Sequence, residues 1–138
     1  MSAKAKKRSL PFQATRSHHD QEAAEDYTEL IDDLIKEKGE ARTCDIADHL
    51  GISHVTAIRT LKRLHKEGWI QTATRKPVTL TKEGARLAKY ARQRHELLVD
   101  FLVKIGVPKK VAETDVEGAE HHISKTTLQA ISRAMKKL

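Results

Sequence analysis

Thr43-Cys44-Asp45-Ile46-Ala47-Asp48-His49-Leu50-Gly51-Ile52-Ser53-His54-Val55-Thr56-Ala57-Ile58-Arg59-Thr60-Leu61-Lys62-Arg63-Leu64 is the stretch that decides the fold. Thr43 suits a helix N-cap, and Ile46, Ala47 and Leu50 make one apolar helical stripe. Gly51 can take the left-handed conformation that ends a helix. Ser53 caps a second helix, whose Ala57, Leu61 and Leu64 recur at i, i+4, i+7 and are expected inside. Val55, Arg59, Lys62, Arg63 and Lys66 are left on its outer face. Two short helices joined by a tight turn, the second basic outside, predict a helix-turn-helix. Residues 69–73 and 78–80 are rich in strand formers and flank Thr74-Arg75-Lys76-Pro77, a polar turn with two cations. This predicts a β-wing. A plain helical hairpin with solvated charges is the alternative, but caps, turn, wing and charge all agree on a winged helix.

Working outward, residues 20–38 read as an amphipathic helix with Tyr27, Leu30, Ile31 and Leu34 inward, ended by Gly39. On the other side Thr81 caps a long helix to about residue 105. Pro108 opens another helix to about residue 123, and Ser124 caps the last. The expected architecture is mostly α with a small β-wing, in the order α-α-α-β-β-α-α-α. A disordered basic arm (1–19) precedes a winged helix-turn-helix DNA-binding domain (20–81). A helical dimerisation and metal-binding domain (82–138) follows.

The chain has 138 residues, a net charge of +7 and a pI near 9.6. The charge is uneven: from Arg42 to Arg94 there are 12 Lys/Arg against 4 Asp/Glu, and from Asp20 to Glu40 there are 9 Asp/Glu against 2 Lys. A basic middle suggests a polyanion partner, which the acidic flank would repel unless neutralised. Cys44 is the only cysteine, so an internal disulfide and a CxxC metal site are excluded and the cytosol is the natural compartment. No apolar run is long enough to span a bilayer.

A second stretch, Asp115-Val116-Glu117-Gly118-Ala119-Glu120-His121-His122, puts Glu117, Glu120 and His121 at i, i+3, i+4, on one helical face. Two carboxylates and an imidazole there can bind a divalent metal. They can equally be a solvated surface, and spacing alone does not choose. Asp26 and Glu29, also i, i+3, and His95 in the long helix are further potential donors.

Asp26-Tyr27-Thr28-Glu29, the winged helix, Arg94-His95-Glu96-Leu97-Leu98 and residues 115–122 together resemble the diphtheria-toxin-repressor family of metal-dependent transcription regulators. The likeness is closest to its manganese-transport-regulator branch and covers about residues 25–138. It implies metal ligands at Asp26, Glu29, His95, Glu117, Glu120 and His121. Four carboxylates can bridge, which implies two Mn²⁺ per subunit. The iron-responsive branch has Met and Cys where this chain has Asp26 and Glu120, and hard oxygen donors favour manganese. With the sequence ending at Leu138, the SH3-like third domain of the iron-responsive relatives is expected to be absent.

The resemblance further implies a cytoplasmic homodimer that, with Mn²⁺ bound, acts mainly as a repressor of manganese homeostasis genes. The bare carboxylates are expected to repel one another and leave the N-terminal helix loosely coupled to the dimerisation helices. A dimer would read a palindromic operator with half-sites about one helical turn apart. Ser53 and Thr60 are expected at the DNA, with His54, Val55, Thr56 and Arg59 facing base edges, Arg59 on guanine and Val55 on a thymine methyl; Arg63, Arg75 and Lys76 are expected on phosphates. Other readings are a winged helix answering to iron or to a small organic ligand, and a di-metal oxidation enzyme. Against the enzyme, no Glu-x-x-His pair recurs on two helices and no nucleophile stands out.

Overall fold

The computed structural model describes residues 9–138, with side chains from residue 20. Its elements run α1 (Ser9–Lys38), α2 (Thr43–Leu50), α3 (His54–Glu67), β1 (Ile70–Gln71), β2 (Thr79–Leu80), α4 (Lys82–Lys104), α5 (Lys109–Ala119), a 3-10 turn (Glu120–His122) and α6 (Lys125–Met135). The expected mostly helical order with a small wing is observed.

Local signals account for most boundaries. Gly51 ends α2 at φ 66°, and the Ile52 amide returns to the Ala47 carbonyl at 3.1 Å. Ser53, Thr81 and Ser124 cap α3, α4 and α6, each side-chain oxygen accepting an amide hydrogen bond three residues on. Thr43 is a correction: it is the first helical residue of α2, and extended Arg42 takes the cap position without a side-chain hydrogen bond. The strands are shorter than expected. Ala73 is drawn into the wing turn, its carbonyl accepting from the Lys76 amide at 3.1 Å, and Pro77 has no N–H to give a ladder. Ala41 compensates by bridging Val78, whose amide reaches its carbonyl at 2.7 Å.

Helix α1 starts at Ser9, ahead of the expected residue 20; Pro11 does not prevent this, because first-turn amides lack partners anyway. Of the arm expected over residues 1–19, residues 1–8 lie outside the described residues. Among the described residues no helix is long and apolar enough to cross a membrane.

Two apolar clusters result. Tyr27, Ile31 and Leu34 of α1 meet Ile46 of α2, Leu61 and Leu64 of α3, and Ile70 and Val78 of the wing. Leu98 and Val99 of α4 meet Ala112 and Val116 of α5 and Leu128 of α6. Helix α4 joins the clusters and packs along α1, which brings the acidic helix to the other candidate ligands.

Candidate metal centre and nucleic-acid interface

Helix α1 presents Glu22, Asp26, Glu29 and Asp33 at i, i+4, i+7, i+11, one continuous acidic edge. These residues, with His95, Glu117 and Glu120, line a cavity of about 410 Å³ that Leu30 and Leu50 complete. His121 borders it: Nε2 lies 3.4 Å from Asp26 Oδ1, 3.7 Å from Glu120 Oε1 and 3.9 Å from Glu22 Oε1. His95 Nδ1 is 2.7 Å from Glu120 Oε2. Five of the six expected residues, Asp26, Glu29, His95, Glu117 and Glu120, thus line one cavity, with His121 at its border.

The arrangement of the last three differs from expectation. Helix α5 stops at Ala119, and Glu120 and His121 sit in the 3-10 turn rather than on a continuing α-face. The chain must leave the helix by Ile123, which is extended ahead of the Ser124 cap. The tighter turn carries Glu120 and the His121 side chain inward, while Glu117 stays exposed.

The crowding shifts the carboxyls. Burial pushes Asp26 up to about 6, with Glu22, Glu120 and Glu25 adding to the rise and His121 opposing it. Burial also raises Glu29, against the pull of Arg92. His121 is raised chiefly by its hydrogen bond to Glu25. The donors are carboxylate and imidazole with no sulfur, and Cys44 stands apart on α2; this chemistry fits a divalent cation of the manganese type.

Several participants were not anticipated. Among the described residues, Glu22, Asp26 and His121 offer ligand atoms all within 4.8 Å of one another, and Glu22 was not in the expected set. Glu25, almost fully buried, holds both Arg94 and His121. Arg92 grips Asp32 at 2.8 Å and Asp33 at 3.0 Å. These ion pairs join α1 to α4 beside the carboxylate cluster. Arg94 opens the Arg94-His95-Glu96-Leu97-Leu98 motif. Its place directly before His95 was the available signal.

On α3, His54, Val55, Thr56 and Arg59 are exposed, Val55 at 66%. Ser53 is exposed but its hydroxyl is engaged by the cap and by Thr56 Oγ1, and Thr60 is half-buried. Arg75 and Lys76 project from the wing, with Arg75 at φ 63°, a left-handed conformation that costs on the order of 1 kcal/mol for a non-glycine residue. The His65 ring ties the wing to α3, its Nδ1 accepting from the Thr72 amide at 3.2 Å. Arg63 turns toward α1, 2.9 Å from Asp20, and also lies 3.4 Å from Glu67.

Residues 21–78 match the domain family described as "Iron dependent repressor, N-terminal DNA binding domain", and residues 81–138 match "Iron dependent repressor, metal binding and dimerisation domain". The transcriptional regulator MntR of Salmonella typhimurium is 46% identical over 119 residues, 86% of this chain and 76% of that protein. The HTH-type transcriptional regulator MntR of Bacillus subtilis is 38% identical over 107 residues, 78% of this chain and 75% of its own. Among solved structures, a "Manganese-dependent transcriptional repressor complex with manganese" superposes with a TM-score of 0.72 at 28% identity, covering 82% of this chain and 52% of that one. A hypothetical protein from Sulfolobus solfataricus, SSo2273, shares the fold at a TM-score of 0.69 and 21% identity, covering 81% of this chain and 86% of that one. With a DNA-binding and a dimerisation module matched in order, and relatives alike over most of their length, this chain belongs to the diphtheria-toxin-repressor family of metal-dependent transcription regulators, on its manganese-transport-regulator branch.

Proposed function

We propose that this protein is a manganese-responsive DNA-binding transcription regulator, mainly a repressor, that controls manganese homeostasis genes in the cytoplasm. One observation carries the reading: Asp26 and Glu29, on the helix that packs on the winged helix, share a cavity with His95, Glu117 and Glu120 of the dimerisation helices. The relatives named as MntR and the manganese-bound repressor neighbour support the choice of metal. Asp26, Glu29, His95, Glu117, Glu120 and His121 would hold Mn²⁺, two per subunit. Bound Mn²⁺ supplies the positive charge that lets these carboxylates stay close. Asp26 and Glu29 then fix the position of α1, and α1 fixes α3 through the shared apolar core. In a homodimer this sets the spacing of two recognition helices on a palindromic operator. No reaction is assigned to the cavity, since the relatives are named as regulators. Binding of a specific duplex, selected from a random pool, should strengthen on adding Mn²⁺; equal binding with and without the metal would contradict the proposal.

Asp26 titrates near 6, so a proton must leave it before it can act as a ligand. Mn²⁺ affinity should fall as pH drops through that value, by about tenfold at pH 5 from this group alone, and His121 adds to the fall. Titrations at several pH values check this; constant affinity from pH 7 to 5 would place the metal elsewhere. On the DNA side, Arg59→Ala should cost about 1–3 kcal/mol in specific binding and relax the preference at one base. An equal loss on specific and non-specific DNA would show that Arg59 contacts phosphate.

A further inference from the structure

The His121 ring is almost completely enclosed, and its two nitrogens face different surroundings. Nε2 faces Asp26, Glu120 and Glu22 at 3.4–3.9 Å, none close enough for a strong hydrogen bond. Nδ1 faces the other way, 3.0 Å from Glu25 Oε2 and 3.3 Å from Arg94 Nη2. Glu25 and Arg94 are themselves enclosed and hydrogen-bonded to each other.

A guanidinium only donates and an ionised carboxylate only accepts. If Nδ1 carried the lone pair, it would face the Glu25 oxygen as one acceptor against another at 3.0 Å. If Nδ1 carries the proton, it donates to that oxygen in a charge-assisted bond, and the longer approach to Arg94 is mere proximity. Glu25 Oε2 also receives the Arg94 guanidinium, so this one oxygen is the acceptor in both contacts. Arg94 is steadied in turn by the Tyr90 ring, 5.5 Å from its guanidinium carbon.

We infer that Glu25 and Arg94 are positioning residues for metal binding: Glu25 fixes the Nδ1–H tautomer of His121, Arg94 fixes Glu25, and the Nε2 lone pair is thereby aimed into the cavity. Neither residue is among those that line the cavity. A helix-to-helix ion pair alone would bind α1 to α4 and would be indifferent to which ring nitrogen carries the proton. The inference deepens the proposed metal site and rests on it. Outer partners of this kind typically change metal affinity about 10–100-fold.

The test uses the full chain, metal-free, with ¹⁵N-labelled histidine, at a pH where the His121 ring is neutral. The His121 signals are assigned by comparison with His121→Asn. The expected spectrum has a protonated Nδ1 and an unprotonated Nε2; the reverse pattern in the wild type overturns the inference without any variant at position 25. Calorimetric titration with Mn²⁺ is then compared between wild type and Glu25→Gln, which keeps the shape and removes the charge. The expected results are a loss of about 10–100-fold in affinity and a mixed tautomer in the metal-free spectrum. A folded Glu25→Gln with affinity within about twofold of wild type and the Nδ1–H tautomer retained overturns the inference. Should Glu25→Gln fail to fold, the wild-type spectrum decides alone. Wild-type protein that takes up no Mn²⁺ overturns the metal site itself, whereas uptake with the wrong tautomer overturns only the positioning role.

Discussion

Gly84→Ala should destabilise the protein by about 3 kcal/mol and lower its melting temperature by roughly 10 °C. Gly84 is buried in the first turn of α4, where a Cβ would stand 1.9 Å from the Trp69 carbonyl oxygen and 3.0 Å from its carbon. That oxygen cannot retreat freely, because it accepts from the Thr81 amide at 3.1 Å and from the Thr81 hydroxyl at 3.0 Å. The same hydroxyl caps α4 by accepting the Gly84 amide. One methyl group therefore strikes the end of α3, the start of the wing and the cap of α4 together. Specific DNA binding should fall with stability, since the wing is anchored there. Gly118→Ala is the contrast: nothing lies within 4 Å of the added atom, and helix propensity alone should stabilise α5 by up to about 1 kcal/mol. Thermal unfolding of both variants checks the pair. A Gly84→Ala protein melting within a couple of degrees of wild type would show that the α4 junction yields more easily than its hydrogen bonds indicate.

The largest functional effect is expected from Asp26→Ala. Asp26 faces His121 from α1 and its side chain is partly exposed, so its removal leaves the recognition helix and both apolar clusters untouched. Metal-free DNA binding should stay as it was, while the gain on adding Mn²⁺ shrinks. Couplings between sites are typically about 1–3 kcal/mol, so up to roughly a hundredfold in operator affinity is at stake. Simple charge neutralisation predicts the opposite in the absence of metal. Asp26→Asn and Asp26→Ala would then both imitate the bound ion and strengthen metal-free binding. Gel-shift titration of the two variants with and without Mn²⁺ separates these mechanisms.

The features legible in the sequence were those written in adjacent residues. Ser53, Thr81, Ser124 and Gly51 act within one helical turn of themselves, and the structure realises each as expected. The buried stripe of α3 follows from its own spacing. Thr43 was misplaced by one position because the bridge at Ala41 extends the preceding backbone up to Arg42. The 3-10 turn at Glu120 was not legible because the α pattern of residues 115–122 continues unbroken, and the exit toward α6 supplies the tightening. Glu25 with Arg94, Asp20 with Arg63 and Asp32 with Arg92 join residues 69, 43 and 60 positions apart. Such pairs exist only once α1 has packed against α3 and α4, and no local spacing announces them. The resemblance named six candidate ligand positions, whereas the charged groups that touch them are brought there by the crossing of the helices.

Mn²⁺ titration by isothermal calorimetry, on wild-type protein with and without its operator duplex, tests the link between metal and DNA most directly. If the cavity ties α1 to the dimerisation helices in the DNA-competent arrangement, reciprocity requires the operator to tighten Mn²⁺ binding by the same factor by which Mn²⁺ tightens operator binding, and Asp26→Ala should shrink that gain. Equal Mn²⁺ affinity in the presence and absence of operator would contradict it.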